Sequence, residues 1–240
     1  MRYLLLIGFL LTGMLQGIAQ DGEYDKILAM LVDEEYEKVL YKAEPYTLKD
    51  ETKKDPIPYL YISMAYFEMS KRGEFEEEYP KAFKEALKYA SKHRKKDKDN
   101  AYFSEFSDYF SELRAAGMVE AEVEMEKEKY TRAKGVYKYL ISLDEQDPGA
   151  YLMQSYCLFK DNSKKDAGIN MEEAKKLLEE GGVDRLAKEQ KLLLKAAIIN
   201  ISAYFDSNGM RTEAREWMEI GKEYFSEDDE FMGHYKDIVG

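Results

Sequence analysis

The feature that most constrains this chain is one side-chain pattern that returns four times. Ala82/Ala86/Tyr89, Ala133/Tyr137/Leu140, Ala174/Leu178/Gly181 and Ala214/Met218/Gly221 each place small and large residues at i, i+4 and i+7. That spacing marks one face of a helix, and its small members let a neighbouring helix approach closely. Twelve to nineteen positions before each first alanine stands another small or apolar residue: Ser63, Ala121, Ser155 and Ile201. Two amphipathic helices per unit, with the extra length falling in loops, is how an array of helical hairpins looks in sequence. A single hairpin cannot bury its own apolar face, so the units must stack.

The chain in order supplies about five such hairpins. Asp25 to Leu31 and Glu34 to Tyr46 form the first, closed by the Asp-Pro-Ile-Pro break at Asp55 to Pro58. The second runs from Tyr59 through a loop near Gly73 to a helix from Pro80, which ends in His93-Arg94-Lys95-Lys96, cations suited to the C-terminal end of a helix dipole. Asn100 is expected to cap an aromatic helix carrying Phe103, Phe106 and Phe110, which Gly117 either bends or continues into Val119 to Lys129, in a third unit that ends at Asp144 to Gly149. The fourth starts at Ala150 and passes a polar loop at Asp161 to Gly168. The fifth holds the best-preserved hairpin, Asn200 to Phe225, with its turn at Asn208-Gly209. Asp228 to Val239 reads as a short capping helix.

Residues 1–20 read as a secretory leader: Arg2, an apolar run from Leu4 to Leu11, then Gly17-Ile18-Ala19. No later stretch is apolar enough to span a bilayer. Removing the leader takes away one basic residue, Arg2, and moves the net charge from −12 to −13. That balance opposes nucleic acid and anionic lipid. Cys157 is the single cysteine, so no intramolecular disulfide can form. Positions 21–240 are therefore expected to be one exported domain, periplasmic or secreted, stabilised by packing.

This pattern resembles degenerate tetratricopeptide repeats. The family's order of a large residue, a small pair and Tyr in the first helix, then Ala and a large residue in the second, is met by Tyr59, Ile62-Ser63, Tyr66 and Ala82, and by Asn200-Ile201, Tyr204, Ala214 and Met218. Pro148 closes the third unit. The chain departs from the family where Gly181 and Gly221 replace the usual last Ala and Glu124 stands where Tyr is expected. The resemblance spans about 24 to 226 and implies an all-α, right-handed α-solenoid of antiparallel hairpins. It also implies an inner groove lined by first-helix residues: Leu60, Met64 and Phe67, then Leu152, Tyr156 and Phe159, then Ile198, Ser202 and Phe205. Either that groove takes an apolar segment of a partner, or neighbouring hairpins cover it.

Catalytic signatures are scarce. His93 and His234 sit at no metal or triad spacing and are expected at the surface, while Cys157, between Tyr156 and Leu158, reads as a small buried hydrophobe. Asp206 to Gly209 lacks the Glu that a calcium loop requires, and Glu227 to Glu230 reads as a solvated helix start. No metal, cofactor or catalytic residue is expected. The function implied is a non-catalytic envelope adaptor that binds a protein or peptide, with a glycan-binding module as the alternative. Replacing Ala214 with Glu should cost several kcal/mol by overpacking a close contact and burying a charge, read as a lowered melting temperature.

Overall fold

Residues 22–240 are described in a computed structural model, and among them the regular structure is twelve α-helices and two short 3-10 turns, with no strand. The leader expected over residues 1–20 lies outside the described residues. The helices are α1 (Gly22–Val32), α2 (Tyr36–Ala43), α3 (Ile57–Ser70), α4 (Ala82–Arg94), α5 (Ala101–Glu105), α6 (Ser107–Glu126), α7 (Tyr130–Leu143), α8 (Pro148–Lys160), α9 (Lys164–Gly181), α10 (Lys188–Ser207), α11 (Arg211–Phe225) and α12 (Asp229–Val239). The sequence reading draws one domain over 21–240; the chain condenses into two compact units, one ending at Tyr109 and the other starting at Phe110, so the boundary falls within α6.

The first unit is built around α3. Its sequence, IPYLYISMAYFEMS, carries no charge before Glu68, and Tyr59, Leu60, Tyr61, Ile62, Ala65, Phe67 and Met69 are all buried. A helix apolar on every side must be covered on every side. α1, α2, α4 and both 3-10 turns, Glu44–Thr47 and Gly73–Phe75, pack against it. Ser63 keeps its hydroxyl satisfied in this dry setting by donating to the Ala86 carbonyl at 2.6 Å, which ties α3 to α4.

α8 is the hub of the second unit and packs on α7, α9 and α10; α10 in turn meets α11 and α12. Ser155 repeats the device of Ser63, donating to the Ala167 carbonyl of α9 at 3.0 Å. Here the expected polar loop at 161–168 is corrected: α9 already begins at Lys164, and only 161–163 connect it to α8. Lys164, Lys165 and Asp166 are exposed, and their polarity signals a solvated helix face rather than a loop. The alanine that meets Ser155 is accordingly Ala167, two turns before the Ala174 chosen from spacing.

Three further local expectations change. Asn100 does not cap: it sits in the left-handed region with φ 56°, and the carboxylate of Asp97 instead accepts from the backbone amides of Phe103 at 2.7 Å and Tyr102 at 3.4 Å. The aromatic helix breaks at Phe106 into α5 and α6, whereas α6 runs through Gly117 without interruption. Gly181 ends α9 at the surface with the Arg185 side chain against it, so the last position of that anchor set meets a loop residue rather than a neighbouring helix. Every other anchor in the four sets is buried except Tyr89, which is half-buried. The C-terminal helix does cap: buried Phe231 lies over Gly221, Asp228 accepts from the Phe231 amide at 2.9 Å, and Lys195 pairs with both Asp228 and Glu230.

Two glycines separate close packing from mere helix content. At Gly149, in the first turn of α8, an added Cβ would lie 2.7 Å from the Leu194 amide nitrogen and 3.0 Å from its Cα, both backbone atoms of α10. At Gly135, inside α7, an added Cβ would meet nothing within 4 Å. Gly149→Ala should therefore destabilise by about 1–3 kcal/mol or more, because α8 and α10 must move apart. Gly135→Ala should stabilise by roughly 0.5–1 kcal/mol through helix propensity. Urea denaturation of the two variants checks the opposite signs.

Candidate functional site

The nine first-helix residues implied as groove lining do not share one environment. Leu60, Phe67, Leu152, Ile198, Ser202 and Phe205 are buried, while Met64, Tyr156 and Phe159 are half-buried. The apolar circumference of α3 and α8 is sheathed by neighbouring helices, which leaves only a narrow strip near solvent, and α10 is packed between α8, α11 and α12. Ser202 is buried with no hydrogen-bond partner for its hydroxyl among the described residues, a cost of about 1–3 kcal/mol.

Around the implied groove residues of the second unit, what remains accessible is an aromatic patch drawn from three helices. Tyr130 opens α7, Tyr156 and Phe159 lie one turn apart on α8, and Tyr204 comes from the end of α10. Tyr204 stacks on Phe159 with centroids 5.0 Å apart and planes at 24°, and meets Tyr156 edge-on at 6.4 Å. Tyr130 adds an edge contact to Tyr156 at 6.1 Å, and the buried Phe205 backs Phe159 at 5.4 Å. Such pairs hold each ring in one orientation. Burial and the neighbouring Tyr130 push the Tyr156 hydroxyl up to about 12, so it is a neutral hydrogen-bonding group at any physiological pH.

Tyr130 and Tyr204 are the members that sequence spacing does not assign to the groove. Tyr204 reads as part of a packing motif because it follows Ile201 at helical spacing, and Tyr130 stands at a helix start where periodicity is silent. A shallow groove of about 390 Å³ lies elsewhere on the second unit, against α7, α8 and α9. Its polar floor is self-satisfied: Asn170 donates to Gln154 at 2.7 Å, and Gln154 donates to the Lys134 carbonyl at 3.3 Å.

Reactive chemistry is muted in the buried groups. The expectation of a surface His93 is overturned: it is fully buried, its Nδ1 lies 2.9 Å from the Pro56 carbonyl, and burial lowers its pKa. His234 is exposed. Cys157 is buried, and burial pushes its thiol up to about 12, so no thiolate forms near neutral pH. Among the described residues no group of three His, Cys, Asp or Glu side chains is placed to hold a metal ion.

The most strained electrostatics belong to a buried junction rather than to the aromatic patch. Asp147 caps α8, its Oδ1 accepting from the amides of Gly149 at 3.0 Å and Ala150 at 3.2 Å. Around it stand Asp144, which accepts from Gln190 at 2.8 Å, and Glu189, which accepts from Arg114 and Ser111, both at 2.9 Å. Two of these carboxylates pair with one guanidinium, Arg114 lying 2.9 Å from Glu189 and 3.8 Å from Asp144. Burial pushes Glu189 up, but hydrogen bonds from its own amide, Arg114 and Ser111 outweigh this and hold it below its ordinary value. Asp147 goes the other way: burial, reinforced by the charge of Asp144, raises it to about 6 against the opposing Gln190, Ala150 and Arg114.

Compared with protein-family models, curated proteins and solved structures, the chain finds no match.

The raised value at Asp147 fixes the sign of a pH effect. Between pH 6 and about 4 the folded chain holds a proton at this site that the unfolded chain has released, so this group makes the protein more stable as pH falls through that window. Above the folded value the buried charge is a standing cost, on the order of 3 kcal/mol. Asp147→Asn keeps a capping oxygen and removes the charge. Relative to wild type it should gain stability at pH 8 and lose that advantage by pH 4, in denaturation midpoints measured at both ends.

Proposed function

We propose that this chain is a non-catalytic, exported helical-repeat scaffold that holds a partner protein or peptide in a cell-envelope or secretion assembly. In this reading the helices form about five antiparallel hairpins of tetratricopeptide type, wound as a right-handed solenoid, with α12 closing the end. The repeated device of Ser63 on Ala86 and Ser155 on Ala167 supports the repeat. Export rests on the leader pattern of residues 1–20, which also makes a periplasmic or secreted location the expected one.

The observation that carries the binding role is the aromatic patch of Tyr130, Tyr156, Phe159 and Tyr204, half-buried rings fixed by one another across three helices. Rigid aromatic anchors that lose little entropy on association are the groups that dominate protein–protein contacts. The inert Cys157 and the buried His93 are consistent with a role in binding rather than in turnover. A glycan-binding role is the second reading, favoured by the stacked Phe159–Tyr204 pair, whose ring faces match the apolar face of a sugar.

Pull-down from envelope extract with wild type and a Tyr156→Ala/Tyr204→Ala variant tests this. A specific protein recovered by wild type and lost, by tenfold or more, from a variant with unchanged helical content supports the scaffold. Recovery of no protein together with retention on cell-wall material overturns it in favour of the glycan reading.

A further inference from the structure

The first unit carries a charge feature that the scaffold reading does not use. From Lys81 to Lys98 the sequence holds eight lysines and arginines against only Glu85 and Asp97, in a chain whose net charge is −12. Lys84, Lys88, Lys92 and Lys96 recur at every fourth position along and just past α4. Successive members therefore fall one turn apart, about 6 Å along the axis, on a slowly turning stripe.

Three of the four ammonium groups rest on tyrosine rings. Lys92 Nζ lies 4.6 Å above the Tyr89 ring centroid, Lys88 approaches the same ring at 5.6 Å, and Lys96 lies 4.7 Å above Tyr59. Because cations occupy these ring faces, the row offers charge rather than a stacking platform. Glu85 pairs with Lys88 at 2.6 Å, but no carboxylate among the described residues lies within ion-pair distance of Lys84, Lys92 or Lys96. Burial first, then Lys88 and Lys96 on either side, lower the pKa of Lys92 against the pull of Glu85, the mark of crowded, under-compensated cations.

Helix stability does not account for the row. Cations at the C-terminal end suit the dipole, yet Lys81 and Lys84 stand at the N-terminal end, where positive charge is unfavourable. From the chemistry of this surface we infer that the Lys84–Lys88–Lys92–Lys96 row docks an acidic peptide segment of a partner protein. Carboxylates one helical turn apart, or on alternate residues of a strand, repeat every 6–7 Å or so and match the row. An extended polyanion such as duplex nucleic acid or an anionic bilayer matches less well, because the net charge of −12 opposes it at long range. The inference names a class of partner and does not depend on the aromatic patch of the second unit.

The test is fluorescence anisotropy with a labelled helical peptide bearing Glu at every fourth residue, titrated with the full chain. Wild type should bind saturably and more weakly as salt is raised. Lys88→Gln/Lys92→Gln should lose at least about tenfold in affinity, while Lys53→Gln/Lys54→Gln, a control pair of exposed lysines in the same unit, should bind like wild type. Lys96→Gln, beyond the end of α4, supplies the same readout if the double variant loses helical content. Equal losses in row and control variants, absence of saturable binding, or tighter binding of an oligonucleotide or of phosphatidylglycerol vesicles at matched charge would each overturn the inference.

Discussion

The structure depends on the fact that α3 and α8 are apolar around most of their circumference. Neither helix can present more than a narrow strip to water, so each becomes a hub that other helices must enclose. Enclosure brings backbones close, and the sequence meets that demand with small or self-satisfying residues: Ser63 and Ser155 donate back to facing carbonyls, and Gly149 admits the α10 backbone. The same enclosure buries Leu60, Phe67 and Leu152 of the residues expected to line a groove, and packing of α10 on α8, α11 and α12 goes with the burial of Ile198, Ser202 and Phe205. The surface left for recognition is then a rim of aromatic rings rather than a channel.

Close approach at Gly149 has an electrostatic consequence. The residues that start α8 and α10 come together with α6, and the capping carboxylate of Asp147 is trapped there beside Asp144, Glu189 and Arg114. An exposed N-cap Asp would be stabilised as the anion; in this dry setting desolvation wins and the proton is retained to higher pH. The junction therefore combines the tightest backbone contact noted in the second unit with its most frustrated charge.

Charge along the chain is unevenly spread. The acidic surplus sits over most of the sequence, while α4 gathers cations that tyrosine faces hold in a row. Tyrosine thus serves in two ways: in the first unit it supports ammonium groups, and in the second it is itself the half-exposed surface.

By itself the sequence determined that the chain is helical, where most helices run, most of the small residues they pack on, and that Cys157 is a buried hydrophobe. Each of these is set by local periodicity or composition. It misplaced the start of α9 and the cap of α5, because polar residues such as Lys164 and Asp166 fit a solvated helix as well as a loop, and Asn100 resembles a cap until its left-handed backbone is seen. Only the tertiary structure decided that His93 is buried, that Tyr130 and Tyr204 join Tyr156 and Phe159 in one patch, and that Asp147 is cut off from water. Those outcomes depend on how many helices surround a given helix, and periodicity along one helix reports its own apolar face but not the number of neighbours that cover it.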